Sequence, residues 1–183
     1  MKLLIMGPPG AGKGTQAKIL AEKYNLIHLS TGDILRREIK KKTAIGLEAQ
    51  SYMNRGNLVP DNVLLSIMDS TLISLKDSGI ILDGFPRTIP QAEGLNIILE
   101  NLDSKIDHVL NIHVEEQILI NRLIERAQSS GRADDTEEVI TKRQKVYAKL
   151  TAPLVNFYKN NIIQIDGDGS IDQVTQRILK QIQ

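Results

Sequence analysis

The chain of 183 residues contains no cysteine and no tryptophan, and its two Phe and four Tyr make up only 3% of it. Without thiols, neither a disulfide framework nor a thiolate zinc site can be built, and the composition fits a reducing compartment. So few aromatic rings leave no stacking platform for single-stranded nucleic acid. Charge of one sign is missing as well. The 23 Lys and Arg are balanced by 22 Asp and Glu for a net charge of +1, so binding of nucleic acid by bulk electrostatics is not expected. No apolar run approaches the ~20 residues of a membrane span, and the first is too short for a secretory signal core. These absences predict a soluble, cytoplasmic protein with neither nucleic acid nor membrane as partner. The length suits one domain that buries close to about 70% of its unfolded surface, so folding needs no disulfide or metal.

What is present is an alternation. Apolar runs at Leu3 to Met6, Leu26 to Leu29, Gly79 to Asp83, His108 to Val114 and Ile162 to Ile165 are separated by longer stretches of helical periodicity. That β/α pattern predicts a five-stranded parallel sheet with helices on both faces and ligands at the carboxyl ends of the strands. Function is then expected just after each strand. The first run is followed by Gly7-Pro8-Pro9-Gly10-Ala11-Gly12-Lys13-Gly14-Thr15 and a helical pattern from Thr15 to Lys23 with Ala17, Leu20 and Ala21 on one face. Strand, glycine loop and helix come in phosphate-binding order. Glycines allow backbone N–H groups to turn inward around phosphate oxygens, the helix N-terminus adds a positive dipole, and Lys13 supplies an ammonium for the distal phosphates. The bland alternative, a glycine-rich turn without a ligand, does not account for the flanking strand and helix. One slot departs from the eight-residue P-loop pattern: Gly14 stands where Ser or Thr is usual, with Thr15 one place later. Either Thr15 supplies a hydroxyl on the Mg²⁺ side or the metal is held mostly through water.

Two segments interrupt the core pattern. Thr31 to Val59 is rich in Lys and Arg, runs as short amphipathic helices, and ends at Asn57-Leu58-Val59-Pro60-Asp61, where Pro60 and Asp61 can start the next helix. It is read as an insertion carrying a second ligand site. Ala127 to Thr136, polar and small around Ser129-Ser130-Gly131, is read as a flap or an ordinary surface turn, with a helix starting at Asp134 to Glu137. The strand Ile80-Ile81-Leu82 ends in Asp83, a carboxylate placed to orient Mg²⁺ or its waters. Arg87 follows in a Gly84-Phe85-Pro86-Arg87 turn, where a planar guanidinium can grip a phosphate. Arg122 and Arg126 lie four apart on one helix face, Arg132 follows Gly131, and Arg143 lies on the next helix. Their spacing permits convergence on transferring phosphate, although each arginine singly would also suit a solvated helix face. His28, His108 and His113 fall in or beside predicted strands and are read as core or strand-edge residues. No catalytic base is expected, since a phosphate acceptor is already anionic.

Taken together, these motifs resemble the adenylate kinase family of the short-lid type, a branch of the nucleoside monophosphate kinases, from the first strand to the C-terminal helix. The glycine loop, Ser30-Thr31-Gly32-Asp33 with Arg36, Gly56 to Asp61, Leu82 to Arg87 with Gln91, Gly131-Arg132 and Arg143 all stand at family spacing. The family itself reads Gly-Lys-Gly-Thr, which accounts for Gly14. The resemblance implies a three-layer P-loop kinase fold and one domain over 1–183, made of a core, an AMP-binding insertion over 30–59 and a short lid over 126–136. It implies reversible transfer of the terminal phosphoryl group of ATP to AMP, giving two ADP, with Mg²⁺ and without zinc. Donor binding then falls to Gly10, Ala11, Gly12, Lys13, Gly14 and Thr15, with Arg126 packing on the adenine side and Gly169 contacting adenine. Acceptor binding falls to Thr31 and Gln91 at the base, Arg36 and Arg87 at the phosphate, and Asn57, Leu58, Val59, Gly84, Phe85 and Pro86 along the pocket. Arg132 and Arg143 bridge both nucleotides, and Lys13, Arg87, Arg122, Arg132 and Arg143 are the expected catalytic set. Asp83 holds Mg²⁺ through water, with Thr15 as a second candidate. The family expectation is a monomer.

Two rivals remain at this level. A UMP/CMP kinase shares fold, loop and arginines, but Thr31 and Gln91 suit adenine, because a glutamine amide can both donate to and accept from its Watson–Crick edge. A P-loop switch or ATPase would need a residue to orient water and an exposed switch loop. The sequence instead offers a second arginine-lined pocket.

Overall fold

The five apolar runs become five parallel strands, and the three central ones are buried along most of their length because they are largely apolar on both faces and stable only when covered on both. The computed structural model describes residues 1–130 and 136–182. Its strands are β1 (Lys2–Met6), β2 (Ile27–Ser30), β3 (Ile80–Asp83), β4 (His108–His113) and β5 (Ile162–Asp166), hydrogen-bonded in the order β2-β3-β1-β4-β5. Every pairing is parallel, with Ile5 beside Asp83 on one side of β1 and beside Leu110 on the other. The chain leaves the central strand β1 directly into the glycine loop, which places that loop at the carboxyl edge of the sheet.

Alternation along the strands divides the core into two layers. Leu3, Ile5 and Ile81 pack with Ala17 and Leu20 of α1 (Lys13–Tyr24) and with Val174 and Ile178 of α9 (Ile171–Leu179). Leu4, Met6 and Leu82 face the other way, onto Met68 and Leu72 of α4 (Asp61–Ser74) and Leu95 and Leu99 of α5 (Ile89–Asn101). This is the α/β three-layer arrangement the sequence predicts. The same alternation fixes the site: Asp83, two residues beyond Ile81, must share the face that carries α1.

The insertion folds as α2 (Thr31–Lys40) and α3 (Ala44–Asn54), with Ser30 and Thr43 as their N-caps. The two helices cross so closely at Gly46 that a Cβ there would lie 2.2 Å from the Glu38 carbonyl oxygen. Beyond β4, α6 (Glu116–Ser130) runs further than the flap reading allowed: Ala127 to Ser130 complete the helix. Ala and Gln are good helix formers and no Gly or Pro intervenes before Gly131. Residues 131–135, including Gly131, Arg132, Asp134 and Asp135, lie outside the described residues. After them α7 (Glu137–Val146) begins at its N-cap Thr136 and passes into a π-helical turn, Tyr147–Thr151, then α8 (Leu154–Phe157). Among the described residues no helix is long and apolar enough to cross a membrane.

Candidate active site

The glycine loop owes its shape to three backbones with positive φ: Gly7 at +142°, Gly10 at +90° and Gly12 at +86°. Space is also restricted, since a Cβ at Gly7 would lie 2.4 Å from the Ile112 carbonyl oxygen and one at Gly10 would lie 2.8 Å from that of Leu119. Gly12 caps α1 without a side-chain hydrogen bond, so no side chain competes with a ligand at that helix end. The Lys13 ammonium donates to the carbonyl oxygens of Gly7 and Pro8, both at 2.8 Å. Burial pushes its pKa down to about 7; Asp83 opposes the shift, while Arg87, Arg143 and Arg126 add to it. The Gly14 slot has a spatial reason as well, because a Cβ there would stand 3.3 Å from Oδ2 of Asp83.

Asp83 itself is not isolated. His28 Nε2 lies 3.2 Å from Oδ2 of Asp83, and the side chains are 15% and 13% exposed. Burial alone would raise the Asp83 pKa, but the His28 hydrogen bond together with the charges of Lys13, His28 and Arg87 outweighs it and holds the carboxyl below its usual value. His28, read from sequence as a core or strand-edge residue, is thus part of the site. The available signal was alternation: Leu29 faces the α4 side, so His28 faces α1 and Asp83.

Two cavities open from this centre. One, of about 890 Å³, is lined by Gly10, Ala11, Gly12, Lys13, Gly14, Thr15, His28, Asp83, Arg122, Arg126 and Gly169. All of the residues expected for the donor line it, including the candidate metal positions Asp83 and Thr15. The anionic, hydrogen-bonded carboxylate of Asp83 suits Mg²⁺, which keeps most of its waters. The other cavity, narrower at about 120 Å³, is lined by Thr31, Arg36, Asn57, Leu58, Val59, Gly84, Pro86 and Thr151 among others. Lys13, Arg36, Arg87 and Arg143 line both cavities. The two spaces therefore meet at one lysine and three arginines.

Several elements aim those cations. Arg87 Nε donates to the Gly84 carbonyl oxygen at 2.7 Å, its backbone N–H donates to Gln91 Oε1 at 2.7 Å, and its carbonyl oxygen accepts from Thr151 Oγ1 at 2.9 Å. The π turn, unforeseen in the sequence, is what delivers Thr151 to that carbonyl. Gln144 Nε2 donates to the Pro9 carbonyl oxygen at 3.0 Å, tying α7 and its Arg143 to the glycine loop. Arg36 NH2 pairs with Asp33 at 2.6 Å.

Not every expected residue reaches a cavity wall. Phe85 and Gln91 are fully buried. Both ends of the Gln91 amide are engaged by protein: Oε1 with Arg87 N–H, and Nε2 with Oδ1 of Asp61 at 2.7 Å. Thr31, 2% exposed, donates its hydroxyl to the Gly84 carbonyl oxygen at 2.8 Å. Both α6 arginines line the donor cavity. Arg122, expected at the transferring group, donates to the carbonyl oxygens of Gly167 at 3.2 Å and Gly169 at 3.5 Å. Arg126, expected beside adenine, is the smallest of the charges acting on Lys13. Spacing places the pair on one helix face, but only the direction in which α6 crosses the cleft decides which member meets which end. Arg132 lies outside the described residues.

The sequence model of the adenylate kinase family matches residues 5–163. The chain is 50% identical over 184 residues to an adenylate kinase of Leptospira biflexa, covering 99% of each. It is 48% identical over 181 residues to an adenylate kinase of Porphyromonas gingivalis, covering 97% of this chain and 93% of the relative. An adenylate kinase of Parasynechococcus marenigrum is 46% identical over 181 residues, with 98% and 97% covered. With a P-loop cavity joined at Lys13 and three arginines to a second one, and with such similarity along its length, this chain belongs to the adenylate kinase family.

Proposed function

We propose that the protein transfers the terminal phosphoryl group of ATP to AMP, giving two ADP, as a single kinase domain in which the 30–59 insertion and the 126–136 lid close over the nucleotides. The carrying observation is the junction of the two cavities at Lys13, Arg36, Arg87 and Arg143. In-line phosphoryl transfer requires two phosphates held end to end and positive charge around the equatorial oxygens, and it forms no bond to the protein. The acceptor is an anionic phosphate and needs no general base.

Each side chain acts according to its place. The glycine loop N–H groups and Lys13 bind the donor phosphates, and Arg87 and Arg36 hold the acceptor phosphate. Arg143 and Arg126 lie toward the transferring group, while Arg122, bonded to the 167–169 carbonyls, shapes the adenine end of the donor cavity. Lid arginine Arg132 is expected to join the transferring group. Mg²⁺, when bound with ATP, neutralises phosphate charge; Asp83 holds it through water, and Thr15 is a further candidate. Thr31 and the Asn57 to Val59 wall enclose the acceptor base, with Gln91 behind them. On this reading the insertion moves to admit AMP and closes over it to exclude water. A monomer in the cytoplasm is the accompanying reading.

A coupled assay of ADP formation from Mg-ATP with AMP, CMP, UMP or GMP as separate acceptors tests the assignment. AMP is expected to give the highest kcat/KM; a pyrimidine acceptor equal to it or better would refute the choice of AMP and restore the UMP/CMP kinase reading.

A further inference from the structure

Asp61 begins α4 with only Pro60 between it and the Asn57 to Val59 wall, at a position whose local pattern accounts only for a helix start. In the structure its Oδ1 accepts two hydrogen bonds from the far side of the acceptor cavity, from Gln91 Nε2 at 2.7 Å and from Thr88 Oγ1 at 3.0 Å. Thr88 Oγ1 in turn accepts from the Gln91 backbone N–H at 3.2 Å and caps α5, and Gln91 Oε1 accepts from the Arg87 backbone N–H at 2.7 Å. The two donors are buried, Gln91 fully and Thr88 to 9% exposure, while Asp61 is half-buried.

The chemistry of these partners allows only one arrangement. A carboxylate only accepts and a backbone N–H only donates, so the Gln91 amide cannot turn over without losing both bonds. From the sequence positions, one carboxylate oxygen thereby fastens the insertion's exit, through a single amide, to the backbone of the arginine that lines both cavities. We propose that Asp61 is a positioning residue of the acceptor site, holding the Asn57 to Val59 wall and the Arg87 turn at a fixed separation. This rests on the reading of that cavity as the AMP site. Removing the acceptor oxygen frees the amide, unpairs a buried donor and lets wall and arginine drift apart, while Gly10 to Thr15 and Gly169 keep all their bonds.

The test is steady-state kinetics with AMP and Mg-ATP varied separately, alongside thermal melts. Asp61→Ala is expected to raise the AMP KM by about tenfold and to lower kcat, with the ATP KM within about twofold of the parent. Asp61→Asn, whose carbonyl oxygen can still accept both bonds, is expected to restore most of the AMP KM. Should the alanine variant not fold, Asp61→Glu keeps the charge but displaces the oxygen by a methylene, and the same rise in AMP KM is expected. Equal changes in both Michaelis constants, or a lowered melting temperature with neither constant changed, would overturn the proposal. Failure of the parent enzyme to use AMP would instead remove the acceptor-site reading itself, an outcome visible before any variant is made.

Discussion

Binding of Mg-ATP should draw a proton from solution at mildly alkaline pH, and Lys13 sets how much. Its pKa of about 7 in the ligand-free protein leaves roughly nine-tenths of the ammonium charged at pH 6 and roughly one-tenth at pH 8. Burial is the main cause, with Arg87, Arg143 and Arg126 adding to it against the opposing Asp83. Triphosphate oxygens beside Nζ supply the countercharge that burial removed, so in the complex the group returns toward its ordinary 10.5 and is fully protonated at both pH values. The expected uptake is therefore about 0.9 proton at pH 8 and about 0.1 at pH 6, and affinity weakens by up to about tenfold per pH unit above 7. Titration calorimetry at pH 8 in buffers of differing ionisation enthalpy, with Mg²⁺ in excess, reads the uptake directly as a slope. Lys13→Met should abolish it. An uptake near zero at pH 8, or the same uptake in the methionine variant, would refute the reasoning. The ligand-free protein carries the complementary sign. Between pH 7 and 10.5 the unfolded chain binds more protons at this lysine than the folded one, so its contribution makes stability rise with pH across that window.

Two further predictions concern the donor side. Arg122→Ala is expected to raise the ATP KM several-fold with a small effect on kcat, because it releases the Gly167 and Gly169 carbonyls; Arg126→Ala should chiefly depress kcat, by about 10² or more, and steady-state kinetics of the two variants would show a reversed pattern if the order on α6 were otherwise. Gly7→Ala places a Cβ 2.4 Å from the Ile112 carbonyl oxygen at a φ of +142° and should cost about 3 kcal/mol or more in urea denaturation, whereas a cost below about 1 kcal/mol would show that the loop can relax.

Strand positions were legible because buried parallel strands are short continuous apolar runs, and the edge at which each run ends carries the loops. The insertion's short helices were legible through amphipathic spacing, and the next helix start through Pro60 and Asp61, whereas the Ser30 and Thr43 caps were not read. Other features depend on which distant residues meet. Thr88, Gln91 and Asp61 form one network across about thirty positions, and no local pattern announces it. The π turn at Tyr147–Thr151 has no residue signature, since its geometry is a register choice within an otherwise helical stretch. Arg122 and Arg126 show the limit of spacing most clearly: a four-residue interval gives a shared face but not a direction. His28 could have been found, since its neighbour Leu29 belongs to a buried layer and alternation turns the imidazole toward Asp83.

The shared wall of the two cavities constrains how such an enzyme can drift. A substitution at Lys13, Arg36, Arg87 or Arg143 alters the electrostatics felt by both nucleotides at once, so evolution cannot retune one substrate's affinity there without paying in the other's. On the proposed reading, independent adjustment falls to the outer ends, near Thr31 and the Asn57 to Val59 wall for one ligand and near Gly167 to Ile171 for the other. Lineage-specific variation should gather at those ends, and the cationic junction should remain the slowest part of the molecule to change.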